Sequence, residues 1–156
     1  MEQQIKQNEL NQIAEVALIY KSKVKPSERP KITSSKDAAD LFRNNWDENK
    51  IEFIEQFKAL LLNKSNKVLG VIEISSGGVS ATVVDPKIIF IAALKANACS
   101  LIICHNHPSG NLKPSRQDEE ITRKIKNAGD FMELHLLDHI ILSCEGFYSF
   151  ADEGLI

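Results

Sequence analysis

The amino-acid sequence predicts a single-domain α/β protein, in which helices flank a mixed β-sheet. Three observations support this prediction. Residues 85–98 have the composition of a helix and lead directly into SLIIC, a continuous apolar run of strand length. A second helical pattern, at residues 115–129, precedes another apolar segment, LHLLDHIIL. Upstream, FIEQFKALLLN and KVLGVIEIS flank the short polar turn KSN, as the two strands of a hairpin do.

The composition indicates the class of the protein and its setting. The chain has 156 residues, of which 43% are hydrophobic and 26% are charged, as is typical of one soluble globular domain. A formal net charge of −2 does not predict electrostatic capture of nucleic acid. Three cysteines without a CxxC pair argue against a disulfide framework and favour a reducing cytoplasm. Because no apolar run reaches membrane-spanning length and the N-terminal segment is polar, we expect a cytoplasmic protein with no membrane partner.

Residues 1–30 are interpreted as an N-terminal arm or strand followed by a linker. Residues 1–13 are polar and fit either a short helix or a frayed arm. Residues 14–22, AEVALIYKS, fit two structures. A strand would alternate Val16, Leu18 and Tyr20 against smaller or polar neighbours, and a helix would place Ile13, Val16 and Tyr20 on one face.

The segment KSKVKPSERPK carries two prolines and five basic residues and is predicted to be extended. It has two interpretations, a solvated connection or a basic patch for DNA. The absence of interleaved aromatic residues, on which bases would stack, favours the connection.

Residues 31–156 contain the elements of the predicted domain. In SSKDAADLFRNNW, Ser34 or Ser35 can cap a helix. Its apolar stripe comprises Ala38, Ala39, Leu41, Phe42 and Trp46. The hairpin follows, then a second turn at SGG and a third strand at VSATVV. Asp85 and Pro86 are suited to the cap and the first position of the next helix.

The run SLIIC is apolar throughout, as strands covered on both faces are. Strand, helix and strand in this order predict a parallel pair with a right-handed crossover. In the second clear helix, SRQDEEITRKIKNAG, Ile121, Ile125 and Ala128 line one face, and Gly129 is predicted to end the helix. LHLLDHIIL and FYSFA are the last predicted strands.

A group of polar residues follows the strand SLIIC. His105 and His107 are two residues apart and point to the same side of an extended chain. Pro108 ends the strand, and the chain returns to Ser115, which is placed to cap the next helix. Asp118 then lies on the first helical turn. Two imidazoles and one carboxylate supply three ligands and leave a fourth tetrahedral position for water, the pattern of catalytic zinc sites.

Hydrolysis at such a site also needs a proton acceptor. Glu55, at the start of a predicted strand, is one candidate. The residue pattern alone does not distinguish it from Glu52 or Glu73.

HNHPSG followed by SRQD resembles the JAMM, or MPN-plus, metalloprotease motif, His-x-His-Pro followed by Ser-x-x-Asp, with residues 108–114 as its seven-residue spacer. The run from KPSERPKITS through EQFKALLLN, HNHPSG and LLDHIIL resembles more closely the RadC-like, or UPF0758, branch of that superfamily, including Asn106, where eukaryotic members usually carry Ser or Thr. The resemblance implies a JAB/MPN, cytidine deaminase-like fold over residues 31–156.

The resemblance also implies roles for individual residues. One zinc ion per chain would be held by His105, His107 and Asp118. Glu55 would match the upstream glutamate of the family, and Ser115 would help hold the oxyanion or the water. The implied function is a zinc-dependent hydrolase that cleaves an amide bond in an unidentified peptide or protein. The alternative is a DNA-repair-associated accessory protein, with the basic segment as its support. The oligomeric state stays open.

Other residues near the motif have simpler interpretations as well. Ser115-x-x-Asp118 also matches a capping box. His139 could orient a ligand histidine or be a histidine at the edge of the core. Cys104 is expected to be a packed thiol on the opposite face of the strand, and His135 a surface residue. An HNH nuclease is excluded because Asn106 points away from both histidines, and a zinc deaminase is excluded because HxE and PCxxC are absent.

Overall fold

The computed structural model of the protein describes residue 17, residues 19–78 and residues 83–156. These residues form one five-stranded mixed sheet of order β2-β1-β3-β4-β5 with three helices, which confirms the predicted α/β class. The helices are α1 (Ser35–Asn44), α2 (Pro86–Lys95) and α3 (Arg116–Phe131), and the strands are β1 (Gln56–Leu62), β2 (Val68–Ser76), β3 (Ser100–Asn106), β4 (His135–Leu142) and β5 (Phe147–Ser149).

Several predictions on the N-terminal segment and on VSATVV lie outside the described residues. They are the helix or arm at residues 1–13, residues 14–16 and 18 of the segment 14–22, and residues 79–82 of the third strand. The basic segment is described and is exposed along most of its length. It is not extended throughout, because Pro26–Glu28 form a turn of 3-10 helix.

The predicted hairpin is confirmed. β1 and β2 pair antiparallel, with Ala59 opposite Ile72. In the turn between them, the side-chain oxygen of Asn63 accepts hydrogen bonds from the backbone nitrogens of Ser65 and Lys67 at 2.9 and 3.0 Å. Local side-chain to backbone bonding of this kind stabilises the turn that sets the register.

The helix caps are where the sequence places them. Ser34, not Ser35, caps α1, and it forms a reciprocal capping box with Asp37. Asp85 caps α2 by accepting a hydrogen bond from the backbone of Lys87, and Pro86 occupies the first turn. These local contacts fix where each helix begins, so both starting points could be predicted from sequence.

The last described strand before α2, β2, runs parallel to β3 because each is antiparallel to β1, but β2 and β3 are not the directly paired neighbours that were predicted. The strand that α2 leads into, β3, pairs antiparallel with β1, which lies between β2 and β3. The parallel neighbours are instead β3 and β4, which are joined through α3. Local patterns identify strands, but the choice of partner depends on packing between segments far apart in the chain.

Gly129 does not end α3 as predicted. The helix continues to Phe131, and Gly129 is buried inside its last turn. A Cβ at this position would lie 2.3 Å from the carbonyl oxygen of Leu134, which folds back onto the helix. The glycine therefore permits a close backbone approach rather than a helix stop.

Two hydrophobic clusters cover the sheet, one on each face. α1 packs on one face against Leu60 and Leu62 of β1 and Ile102 of β3. α2 and α3 pack on the other face, and alternate strand residues such as Ala59 and Ile103 point toward them. None of the helices that the structure describes is long and apolar enough to cross a membrane.

Candidate metal centre

Three side chains converge where β3 ends and α3 begins. His105, His107 and Asp118 each offer one potential ligand atom, and these atoms all lie within 4.8 Å of one another. Nε2 of His105 is 2.9 Å from Nε2 of His107 and 3.1 Å from Oδ1 of Asp118. Nε2 of His107 is 3.7 Å from the other carboxylate oxygen. A group of this composition could hold a metal ion.

A tight turn brings the helix back to the end of the strand. The backbone nitrogen of Gly110 donates to the carbonyl of His107 at 3.0 Å, and Gly110 has a φ of 79°, which favours glycine. Ser115 then caps α3, and its hydroxyl accepts a hydrogen bond from the backbone of Asp118 at 3.2 Å. The fold thus places Asp118 on the first helical turn, facing the two histidines.

The cap and the candidate metal site share the Asp118 carboxylate. Its Oδ2 accepts a hydrogen bond from the backbone nitrogen of Ser115 at 2.6 Å, which completes a capping box. Its Oδ1 lies toward His105. The two sequence interpretations of Ser115-x-x-Asp118 are therefore compatible, and the cap holds the carboxylate in place.

The site is mostly buried and its charges are strongly coupled. The exposed fractions of the side chains are 1% for His105, 17% for His107 and 12% for Asp118. Burial alone would raise the pKa of the Asp118 carboxyl, but its interactions with the two imidazoles and the hydrogen bond from Ser115 outweigh burial and hold that pKa well below its usual range. The pKa of His107 is raised, chiefly by the Asp118 carboxylate beside it. Asp118 is therefore an ionised carboxylate.

The donor set fits a divalent metal ion. Nδ1 of His107 is hydrogen-bonded to the carbonyl oxygen of Asn111, which can only accept, so Nδ1 carries the hydrogen. Nε2 of a neutral His107 then presents a lone pair to the second imidazole and to the carboxylate. Nitrogen and oxygen ligands of this kind are those that zinc takes in sites with an open position.

Glu55 lies just before β1, beside the same site. Its side chain is half-buried, and burial raises its pKa, while the charges of His105 and His107 lower it and that of Asp118 raises it. The glutamate is thus within electrostatic range of all three candidate ligands. Of the alternatives, Glu73 binds the side chain of Gln56 at 2.8 Å, and Glu52 is exposed.

Asn106 is hydrogen-bonded to the segment that carries Glu55. The sequence predicted only the direction of its side chain. It points away from the histidines and is fully buried. Its Oδ1 accepts from the backbone nitrogen of Gln56 at 2.7 Å, and its Nδ2 donates to the carbonyls of Ile54 and Ile51 at 2.9 and 2.7 Å. The amide therefore holds the backbone on both sides of Glu55.

His139 is buried and in contact with a candidate ligand. Its Nε2 is 2.8 Å from Nδ1 of His105, and its Nδ1 is 2.6 Å from Oγ1 of Thr122. Its ring stacks on Phe150 with centroids 4.6 Å apart. Burial lowers the pKa of His139 well below its ordinary value, so the ring is neutral. Sequence reasoning missed Thr122, although it lies one helical turn after Asp118 and so on the same face of α3.

The remaining predicted positions lie away from the centre. Cys104 is buried in the hydrophobic cluster under α1, on the opposite face of β3. His135 is exposed at the start of β4, with Nδ1 3.4 Å from Asp130. Cys99 and Cys144 are free and exposed.

Comparisons with known proteins agree with this architecture. Residues 32–155 match a family described as the RadC-like JAB domain. The chain is 46% identical to a UPF0758 protein of Flavobacterium johnsoniae over 125 residues, which are 80% of this chain and 53% of that protein. It is 40% identical over 155 residues to a UPF0758 protein of Clostridium beijerinckii, covering 97% of this chain and 66% of the relative. The chain thus spans about half to two-thirds of these relatives.

Proposed function

We propose, from the premise that this chain belongs to the RadC-like JAB domain family, that it is a zinc-dependent hydrolase that cleaves an amide bond in a peptide or protein. The observation that carries the proposal is the convergence of two imidazole nitrogens and one ionised carboxylate at the end of β3. JAB-type domains include hydrolases, and this chain has a donor set suited to such a reaction.

The ligand chemistry favours zinc. His105 and His107 offer nitrogen and Asp118 offers oxygen, and three protein ligands leave one tetrahedral position open. A zinc ion bound there would supply Lewis acidity, which lowers the pKa of a water and polarises a carbonyl. The capping box and the buried surroundings hold the three side chains close together in advance of binding.

Glu55 is the proposed general base. It takes a proton from the attacking water while the water oxygen bonds to the carbonyl carbon of the substrate. It then delivers that proton to the leaving nitrogen as the carbon–nitrogen bond breaks, so one amide and one water yield one acid and one amine. A raised pKa brings a carboxylate closer to the working pH, where general acid–base transfer is more effective.

Ser115 is the proposed donor to the oxyanion. Its hydroxyl oxygen accepts from the backbone of Asp118, while no acceptor for its hydrogen is found among the described residues. That hydrogen is available for the negative charge that develops on the carbonyl oxygen, where one well-placed donor is worth about 3–4 kcal/mol.

The test is elemental analysis of the purified protein and of two variants. We expect about one zinc per chain in the wild-type protein and in Glu55→Gln, and loss of zinc in His107→Ala. A fluorogenic peptide library should be hydrolysed by the wild-type protein alone. The proposal would be contradicted by a wild-type protein that binds no zinc when zinc is in excess. It would also be contradicted by a Glu55→Gln variant with full activity.

A DNA-linked accessory role is the second candidate. It is supported by the exposure of Lys21, Lys23 and Lys25 in the basic segment. If this role is real, DNA affinity should fall with rising salt concentration, and replacing the three lysines with glutamine should weaken binding and flatten the salt dependence. Salt-independent or undetectable binding would remove this candidate.

A further inference from the structure

We propose that Thr122 is a positioning residue that acts through His139 to hold His105 in the tautomer whose lone pair is on Nε2, the nitrogen that faces the proposed metal site. The inference rests on the metal site proposed above and concerns a residue outside the ligand set. Thr122 lies on α3 and is almost fully buried, and His139 lies on the neighbouring strand β4. Together they link Asp118 to His105 through hydrogen bonds on the side away from the proposed metal site.

The direction of this connection follows from the hydroxyl of Thr122. Its Oγ1 is 2.5 Å from the backbone carbonyl oxygen of Asp118, and a carbonyl has no hydrogen to give. Thr122 must therefore donate its single hydrogen to Asp118. The second contact of the same oxygen, 2.6 Å from Nδ1 of His139, can then exist only if His139 donates from Nδ1.

Counting the hydrogens on His139 in the same way gives the direction of its hydrogen bond to His105. The ring is fully buried between Phe57 and Phe150, and no carboxylate is among its hydrogen-bond partners in the described part of the chain. A neutral ring carries one hydrogen, which is on Nδ1, so Nε2 accepts. Its partner at 2.8 Å, Nδ1 of His105, must be the donor. The lone pair of His105 is thereby placed on Nε2, the atom that faces His107 and Asp118.

The connection begins and ends at proposed ligands. It starts at the backbone carbonyl of Asp118, passes through Thr122 and His139, and sets the tautomer of His105. Without the hydroxyl, His139 has no acceptor at Nδ1 and gains by moving its hydrogen to Nε2. His105 would then accept at Nδ1 and carry its own hydrogen on Nε2, where it blocks the metal. Supporting hydrogen bonds of this kind fix the tautomer and orientation of ligand histidines.

Two substitutions separate the hydroxyl from the shape of the side chain. Thr122→Val keeps the branched shape and removes the hydroxyl, whereas Thr122→Ser keeps the hydroxyl and removes a methyl group. Zinc affinity of the full chain, measured by competition with a chromophoric chelator, should fall about 10–100-fold in Thr122→Val. It should stay close to the wild-type value in Thr122→Ser.

The decisive readout is the tautomer of His105 in the zinc-free protein, read from the nitrogen shifts in ¹⁵N NMR spectra at mildly alkaline pH. We expect the hydrogen on Nδ1 in the wild-type protein and in Thr122→Ser, and on Nε2 in Thr122→Val. A purely structural role would leave the tautomer of folded Thr122→Val unchanged, and that result would overturn the proposal. So would equal losses of affinity in both variants.

The outcome does not depend on the proposed hydrolase activity. The tautomer is measured without zinc and without substrate, so an inactive wild-type protein would contradict the function and leave this test intact. If Thr122→Val does not fold, the wild-type spectrum still decides, because a His105 ring with its hydrogen on Nε2 contradicts the inference.

Discussion

The two faces of strand β3 are both buried, but the polar groups on them differ in their hydrogen-bond partners. On the face toward α1, Cys104 packs among apolar side chains, and the amide of Asn106 has three backbone partners. On the face toward α3, Nε2 of His105 lies 2.9 Å from Nε2 of His107 and 3.1 Å from a carboxylate oxygen. The amide that β3 contributes to the first face has all of its partners, while the second face brings acceptor atoms together.

This difference identifies where the chain could hold a metal ion. Buried polar groups in folded proteins are almost always paired, and converging acceptors repel one another unless a proton or a cation lies between them. The pKa of His107 is raised, so below that pKa a proton lies between the imidazoles and the carboxylate. The satisfied face serves stability, and the unsatisfied face is suited to binding an ion.

The substitution with the largest expected effect is His105→Ala, on the face toward α3. The change removes a ligand, opens a cavity beside Phe57 and leaves Nε2 of His139 without its partner. We expect loss of stoichiometric zinc and a fall of about 2–5 kcal/mol in the free energy of unfolding of the zinc-free protein. Elemental analysis and urea unfolding measure the two effects. Retention of zinc in this variant would mean that the faces do not differ as argued.

Asn106→Ser tests the face toward α1, where the Asn106 amide makes three hydrogen bonds to the backbone. Serine has one hydroxyl, which cannot replace the three hydrogen bonds of the amide, so backbone groups beside Glu55 lose their partners. We expect a loss of about 2–3 kcal/mol in unfolding free energy. Zinc content should stay at the wild-type level, while turnover should decrease because the Glu55 segment is loosened. If zinc were lost along with stability, the two faces would be coupled rather than separate.

The pH dependence of the zinc-free protein should reveal the unsatisfied face. Because the pKa of His107 is raised above 6.5 by Asp118, its stabilisation is present below that pH and is lost as pH rises through the raised pKa. Because burial lowers the pKa of His139, stability is also lost as pH falls below 6.5 toward that lowered pKa. Unfolding free energy should therefore be greatest near pH 6.5.

Two comparisons sharpen this pH experiment. His107→Gln should flatten the alkaline side of the profile and leave the acid side. Saturating zinc should also remove the alkaline decline, because ligand histidines must be unprotonated to bind metal. A zinc-free wild-type profile that rises steadily from neutral to alkaline pH would show that His107 does not hold a proton against Asp118.

The same two faces explain what the sequence could predict. His105, His107 and Asp118 lie within 14 residues of one another in the chain, so a strand, a turn and a helix cap were sufficient to bring them together. The sequence does not indicate the roles of Thr122 and Asn106, because each role depends on a contact with a residue far away in the chain. Thr122 contacts a residue of β4, and Asn106 contacts the segment before β1. Such contacts depend on strand order, which local patterns do not determine.

His139 shows a subtler limit of the same kind. The pairing of β3 with β4 shifts at Leu137, so that Leu101 is opposite Leu136 while Ile102 is opposite Asp138. Simple alternation from the buried Leu136 would turn Asp138 toward the site. The irregularity turns His139 there instead, as bulges near functional sites often do. No residue pattern in LHLLDHIIL predicts this shift in register, so both interpretations of His139 are compatible with the sequence.

The smallest effect is expected at Cys104, one residue from the largest. Cys104→Ala removes one sulfur atom from a packed cluster and should cost about 1 kcal/mol of unfolding free energy, with no change in zinc content. Burial raises the pKa of this thiol well above its ordinary value, so brief treatment with iodoacetamide should modify the exposed Cys99 and Cys144 and spare Cys104. Peptide mass spectrometry, with a urea-unfolded sample in which all three react, gives the comparison. Rapid modification of Cys104 in the folded protein would show that the α1 face opens, and a face that opens can exchange its polar groups with water. The contrast with the His105 face would then reflect mobility rather than hydrogen-bond satisfaction.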